Sequence, residues 1–170
     1  MLIRFKSKLK NRNGTTLTEL LAALLIMLMV TSIVAGGLPA AVRAYRKVVD
    51  TANAQILMST TTNALRNELG LASKVQTNGT TITYTKADGL NYTITLDDTI
   101  KVTIQSPFQE LSREYTLVSE ALSTAQGLSI SYGTVEHTGD NIVFNNFIVK
   151  KGSMELANLP EYVVVNKEVI

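Results

Sequence analysis

From Leu20 to Leu38 the chain runs 19 residues with nothing more polar than Thr31 and Ser32, and between Thr15 and Val42 its one charged residue is Glu19. A helix needs about 20 apolar residues to cross the hydrocarbon core of a bilayer, so this run is long enough to span one. A helix buried in a soluble core normally keeps a polar face. Leu20, Leu21, Ala22, Ala23, Leu24, Leu25, Ile26, Met27, Leu28 and Met29 leave no such face. The run predicts a membrane-anchoring helix, and the rest of the chain has to be arranged around it.

Charge is distributed unevenly on the two sides of this run. Arg4, Lys6, Lys8, Lys10 and Arg12 precede it with no acidic residue among them, whereas Arg43, Arg46 and Lys47 follow it. The more basic side of a span stays in the cytoplasm, so the body from about residue 43 onward is expected to face outward. The net charge of +2 belongs to the leader: five of the 16 Lys and Arg residues precede Gly14, leaving 11 against 14 acidic residues, a net of −3. Nothing beyond the leader offers excess positive charge to nucleic acid phosphates, and no nucleic acid partner is expected. The 170 residues suit one domain plus an appendage, since a single core takes roughly 100 to 150. The absence of cysteine excludes disulfides, thiolate metal sites and a cysteine nucleophile.

A secretory signal shares the plan of a basic region followed by an apolar one, but its apolar part is about 7 to 15 residues and ends at small residues. On that reading Ala35-Gly36-Gly37 would be the cleavage site, although the run is longer and flows on into helix-compatible sequence. A different signal fits the residues better. Lys10-Asn11-Arg12-Asn13-Gly14 followed by Thr15-Thr16-Leu17-Thr18-Glu19-Leu20-Leu21 resembles the class III signal of type IV prepilins and pseudopilins. In that family a basic leader ends in glycine, a glutamate stands fifth after it, and the apolar run begins at once. The resemblance covers about residues 4 to 38. It implies cleavage after Gly14 by a membrane prepilin peptidase, Thr15 as the new N-terminus and site of N-methylation, and retention of the apolar helix. Where the family most often has phenylalanine first and isoleucine fourth, this chain has Thr15 and Thr18, which leaves methylation of Thr15 open.

Glu19 has a physical reading of its own. A carboxylate at the start of a spanning helix is costly to desolvate and calls for a partner. The resemblance implies that this partner is the free amine of a neighbouring subunit during filament assembly. The alternative is a carboxylate that favours the positive end of a helix dipole. Further on, Gly36, Gly37 and Pro39 weaken a helix and are expected to break or loosen it there.

Beyond the run, Tyr45, Val49, Ala52 and Ile56, then Leu65, Leu69 and Ala72, recur at helical spacing and predict an amphipathic continuation over residues 43–75, ended by Gly70 or by Thr77-Asn78-Gly79. After Gly79 the period becomes two. Ile82 and Tyr84, then Leu90, Tyr92, Ile94 and Leu96, then Ile100, Val102 and Ile104 predict three half-buried strands of an antiparallel meander. Residues 108–126 mix helical spacing with strand composition. Leu128 to Tyr132, Ile142 to Val149 and Tyr162 to Val165 read as short strands. The expected organisation is a leader (1–14), a transmembrane and assembly helix (15–42), its amphipathic continuation (43–75) and a β-rich head (76–170). The fold class is α+β, a long N-terminal helix packed on an antiparallel sheet in a pilin-like arrangement.

Little in the head suggests chemistry. His137, the sole histidine, falls between Gly133 and Gly139 in an expected loop, so no Ser-His-Asp or histidine metal site is expected. Asp97-Asp98 and Asp140-Asn141 could offer oxygens to calcium but lack ligand spacing. Asn78-Gly79-Thr80 and Asn91-Tyr92-Thr93 match a short glycosylation pattern that is frequent by chance. No enzyme activity, catalytic residue, metal or cofactor is implied. The leading expectation is a structural subunit of a type IV pilus or pseudopilus, held in the cell membrane before assembly and displayed at the cell surface afterwards. By resemblance its partners are the prepilin peptidase, other pilin subunits, the assembly platform protein and its ATPase. The competing expectations are a single-pass anchored extracellular domain that binds a ligand without assembling, and a protein released near Gly36 or Gly37.

Overall fold

A computed structural model describes residues 16–97, 100–105 and 112–166. They form an α+β architecture of one long helix, α1 (Leu17–Leu69), and antiparallel strands. The chain divides at Arg46 into two units, and α1 belongs to both.

In the first unit every described residue is exposed. Thr31 donates its hydroxyl to the carbonyl of Met27 one turn back, which satisfies the hydroxyl inside the helix. Contrary to the expected break, α1 continues through Gly36, Gly37 and Pro39. The reason is local. Proline removes its own donor and crowds the carbonyl one turn back, at about 3 kcal/mol, and each glycine costs about 1 kcal/mol, so they weaken the helix there while the turns on either side keep their hydrogen bonds.

In the second unit α1 buries Ala54, Leu57, Thr61, Leu65 and Leu69. This is not quite the stripe that hydrophobicity predicts. Tyr45, Ala52 and Ile56 face solvent, and the buried line passes through Thr61, which carries no sequence signal for burial. Its hydroxyl donates to the carbonyl of Leu57 at 2.7 Å, so the side chain enters the core with its donor engaged. The helix stops at Leu69, before Gly70, the earlier of the two expected stops, and so falls short of residue 75. Gly70 donates its N–H to the Arg66 carbonyl at 2.9 Å, and a Cβ there would stand 2.7 Å from that same oxygen.

Five strands follow as an antiparallel meander: β1 (Ser73–Asn78), β2 (Thr81–Thr85), β3 (Asn91–Thr95), β4 (Lys101–Gln105) and β5 (Arg113–Thr116). The period-two pattern is confirmed in register. Ile82 pairs with Ile94 and Ile94 with Val102, Tyr84 pairs with Tyr92, and all five side chains are buried. The first half of β1, Ser73 to Val75, falls within the stretch expected as helix. Within the mixed region, β5 and a 3-10 turn at Thr124–Gln126 are present, and residues 106–111 lie outside the described residues.

The second sheet is built on β8 (Asn141–Lys151). It pairs with β9 (Met154–Val165) along one edge and with β6 (Leu128–Ser131) and β7 (Val135–Thr138) along successive halves of the other. β7 was expected as loop and carries the exposed His137. Along β8 the inward face switches: Ile142 and Phe144 are buried, then Phe147 and Val149. The switch occurs at Asn146, whose φ is +52, opposite Gly133 on one side and Pro160 on the other. A Cβ at Gly133 would lie 3.1 Å from the Asn145 carbonyl oxygen and 3.2 Å from the Asn146 Cβ, so the kink requires glycine there.

The two candidate helix stripes make a direct comparison. Leu65→Ala should lower unfolding free energy by about 2–5 kcal/mol, whereas Ile56→Ala, at a site 52 % exposed, should cost less than about 1 kcal/mol. Denaturant titration of the detergent-solubilised chain, followed by circular dichroism, measures both.

Candidate functional site

The surface that distinguishes this chain is the N-terminal half of α1. No residue of its most apolar 18-residue stretch is buried, and the helix is long and apolar enough to cross a membrane. Leu17, Met27, Leu28 and Ile33 are each more than two-thirds exposed, so nothing within the described chain accounts for their apolar character.

Gly14 and Thr15, the expected cleavage and methylation positions, lie outside the described residues. The described chain opens on Thr16, whose hydroxyl accepts a hydrogen bond from the Glu19 N–H at 3.3 Å. Thr16 thus caps α1, and Thr16-Leu17-Thr18-Glu19 has the capping-box spacing in which a carboxylate stands three residues after the cap. Glu19 sits in the first turn, where the dipole favours negative charge. This capping-box spacing, which the sequence reading did not use, marks where α1 begins. Gly36 and Gly37 lie inside the helix, and a Cβ at either would meet nothing within 4 Å, so no contact among the described residues demands a small side chain there.

Sequence reasoning did not single out Glu68, which gathers the main polar cluster of the head. One carboxylate oxygen, Oε1, accepts from Tyr84 Oη at 2.5 Å on β2 and Tyr115 Oη at 3.0 Å on β5, and lies 2.5 Å from Lys86 Nζ just beyond β2. Lys86 also stands 4.5 Å from the Tyr92 ring centroid, and that ring stacks on Tyr84 at 5.4 Å. Tyr92 in turn donates to Asp88, whose other oxygen accepts from the Leu90 N–H. Burial pushes the Glu68 carboxyl up, but the hydrogen bonds from Lys86, Tyr84 and Tyr115 outweigh it and hold the carboxyl below its ordinary value. Burial and the same carboxylate push Tyr84 and Tyr115 upward. Hydrogen bonding to Asp88, with some burial, takes Tyr92 up to about 12. The phenols therefore remain donors at neutral pH, and the cluster joins the end of α1 to the meander.

The second sheet is joined to α1 separately. Lys151 on β8 donates to Asp50 at 2.6 Å, Tyr162 on β9 donates to the Thr62 carbonyl at 2.7 Å, and the Arg66 guanidinium lies 5.9 Å from the Tyr162 ring centroid. The residues weighed for metal do not converge: among the described residues no group of three or more His, Asp or Glu side chains could hold an ion. Asp98 lies outside the described residues. Asn78-Gly79-Thr80 forms the β1–β2 turn, and Asn91-Tyr92-Thr93 belongs to β3 with Tyr92 turned inward.

No family model, curated protein or solved structure matches this chain.

Because the folded Glu68 pKa lies below the ordinary 4.5, its contribution to stability is fully present above that value and is lost as pH falls through the folded pKa. The head should therefore be less stable at pH 3 than at pH 6. Glu68→Gln should be less stable than the parent at pH 6 and show a flatter acid limb in thermal melts recorded across that range.

Proposed function

We propose that this chain is a structural subunit of a type IV pilus or a related pseudopilus. On this reading a prepilin peptidase cleaves it after Gly14, and it assembles through the helix that begins at Thr16 and Leu17. The observation that carries the reading is the continuity of α1: the exposed apolar half and the half that supplies the head core are one helix. A subunit of this kind needs an apolar segment that anchors it in the bilayer before assembly and packs against other apolar helices afterwards. The leader motif ending in Gly14, with Glu19 fifth after it, supports the same reading. So do Gly36 and Gly37, whose small size no contact within the described chain requires but which would let a second helix backbone approach closely. Before assembly the protein is held in the cell membrane with its head outside the cytoplasm, and its partners are the peptidase, other pilin subunits, the assembly platform and its ATPase.

A second reading is a single-pass anchored exterior domain that binds a ligand without assembling. The Thr16–Glu19 cap favours it, because it gives Glu19 a role in helix initiation within one chain. The two readings separate at the N-terminus. Co-expressed with a prepilin peptidase, the chain should be recovered with an intact mass beginning at Thr15, and Gly14→Val should remain full length in the membrane. Glu19→Ala should be processed normally yet recovered poorly in sheared filaments. A mass beginning at Met1 despite an active peptidase would sink the subunit reading in favour of the anchored domain.

A further inference from the structure

We propose that the outward face of the β1–β4 meander is a binding site for an acidic saccharide. That face carries an open concavity of about 310 Å³ lined by Lys74, Gln76, Thr83, Asn91, Thr93 and Gln105. Five of these six side chains are neutral hydrogen-bonding groups, and the sixth is a cation.

The strand registers place the neutral groups in rows. Gln76 pairs with Thr83 and Thr83 with Thr93, while Asn91 pairs with Gln105. Neighbouring strands lie about 4.8 Å apart, so groups on adjacent strands can bind one ligand together. Gln76, Thr83, Asn91 and Gln105 are exposed and Thr93 is half-buried, so their donors and acceptors are open to a ligand. Thr85 in the same face is instead occupied by Ser73, at 2.9 Å between hydroxyls. Carboxamides and hydroxyls each donate and accept, which is the chemistry that reads a polyhydroxylated ligand; an apolar ligand would leave them unpaired.

Lys74 is a second, independent feature. It has φ +52, a conformation that side-chain-bearing residues rarely adopt. The strain arises at a bulge: Ser73 pairs with Thr85 and Gln76 with Thr83, so Lys74 and Val75 together oppose Tyr84. The extra residue brings Lys74 to the outward face beside Ser73 while Val75 still enters the core. Bulges of this kind re-aim side chains at functional sites. The other charges on this face, Lys101 and Glu114, pair with each other at 3.1 Å, so Lys74 is the positive charge left for a ligand and favours a sugar bearing a carboxylate over a neutral one.

The test uses the full chain in a detergent without a sugar head group, titrated calorimetrically with a galacturonate oligomer and, in parallel, with a neutral malto-oligosaccharide. Saturable binding of the galacturonate, tighter than that of the neutral oligomer, is expected. Thr83→Val with Thr93→Val keeps both positions β-branched while removing two hydroxyls, and should weaken binding about tenfold with an unchanged melting temperature. Lys74→Gly should raise the melting temperature by relieving the strained φ while abolishing the preference for the acidic oligomer. The proposal is overturned by an absence of saturable galacturonate binding, by equal binding of the two oligomers to the unaltered chain, or by a doubly substituted chain that binds as the parent does.

Discussion

Ala54, Leu57, Thr61, Leu65 and Leu69 present one dry face of α1, and both sheets of the head close on it. Without cysteine, no covalent bond shares this task, so the head rests on burial along the face. Each fully buried leucine contributes about 1.5–3 kcal/mol, which is why the loss of a single one is felt. Polar contacts then set orientation. Glu68 ties the helix to the five-stranded sheet, while Asp50, the Thr62 carbonyl and Arg66 tie it to the other. The two sets share no residue, so each sheet is oriented on the helix by its own contacts.

Much of this was legible in the sequence, for reasons that can be named. The apolar helix is visible because an uninterrupted apolar run of this length is long enough to cross a bilayer core. The first meander is visible because Ile82, Tyr84, Tyr92, Ile94 and Val102 alternate with threonines, and one face of a sheet has to be buried. The helix face was misphased toward Tyr45, Ala52 and Ile56 because hydrophobicity cannot see a threonine whose hydroxyl is satisfied by its own helix, as that of Thr61 is. β1 was hidden for a related reason. Ser73-Lys74-Val75-Gln76-Thr77-Asn78 contains one apolar residue and becomes a strand through its partner β2, with a bulge that breaks any alternation. β7 is four residues bounded by glycines, and its pairing with β8 is what makes it a strand.

The site was less legible than the fold. Glu68 lies on a helix, Tyr84 and Tyr115 on different strands and Lys86 in a turn, and no spacing rule connects residues so far apart in the chain. The polar concavity was invisible for the opposite reason. Its threonines and carboxamides are what any solvent-facing strand would carry, and only the register and the left-handed Lys74 set them apart.

The burial of one face of α1 from Ala54 to Leu69 has a mechanical consequence. A pull along the axis of this buried stretch meets the face as shear. Side chains along several turns are then loaded together, whereas a peeling force would load them one after another. The Asp50–Lys151 ion pair and the Glu68 cluster stand near opposite ends of that face, so sliding of the helix would have to break polar contacts at both.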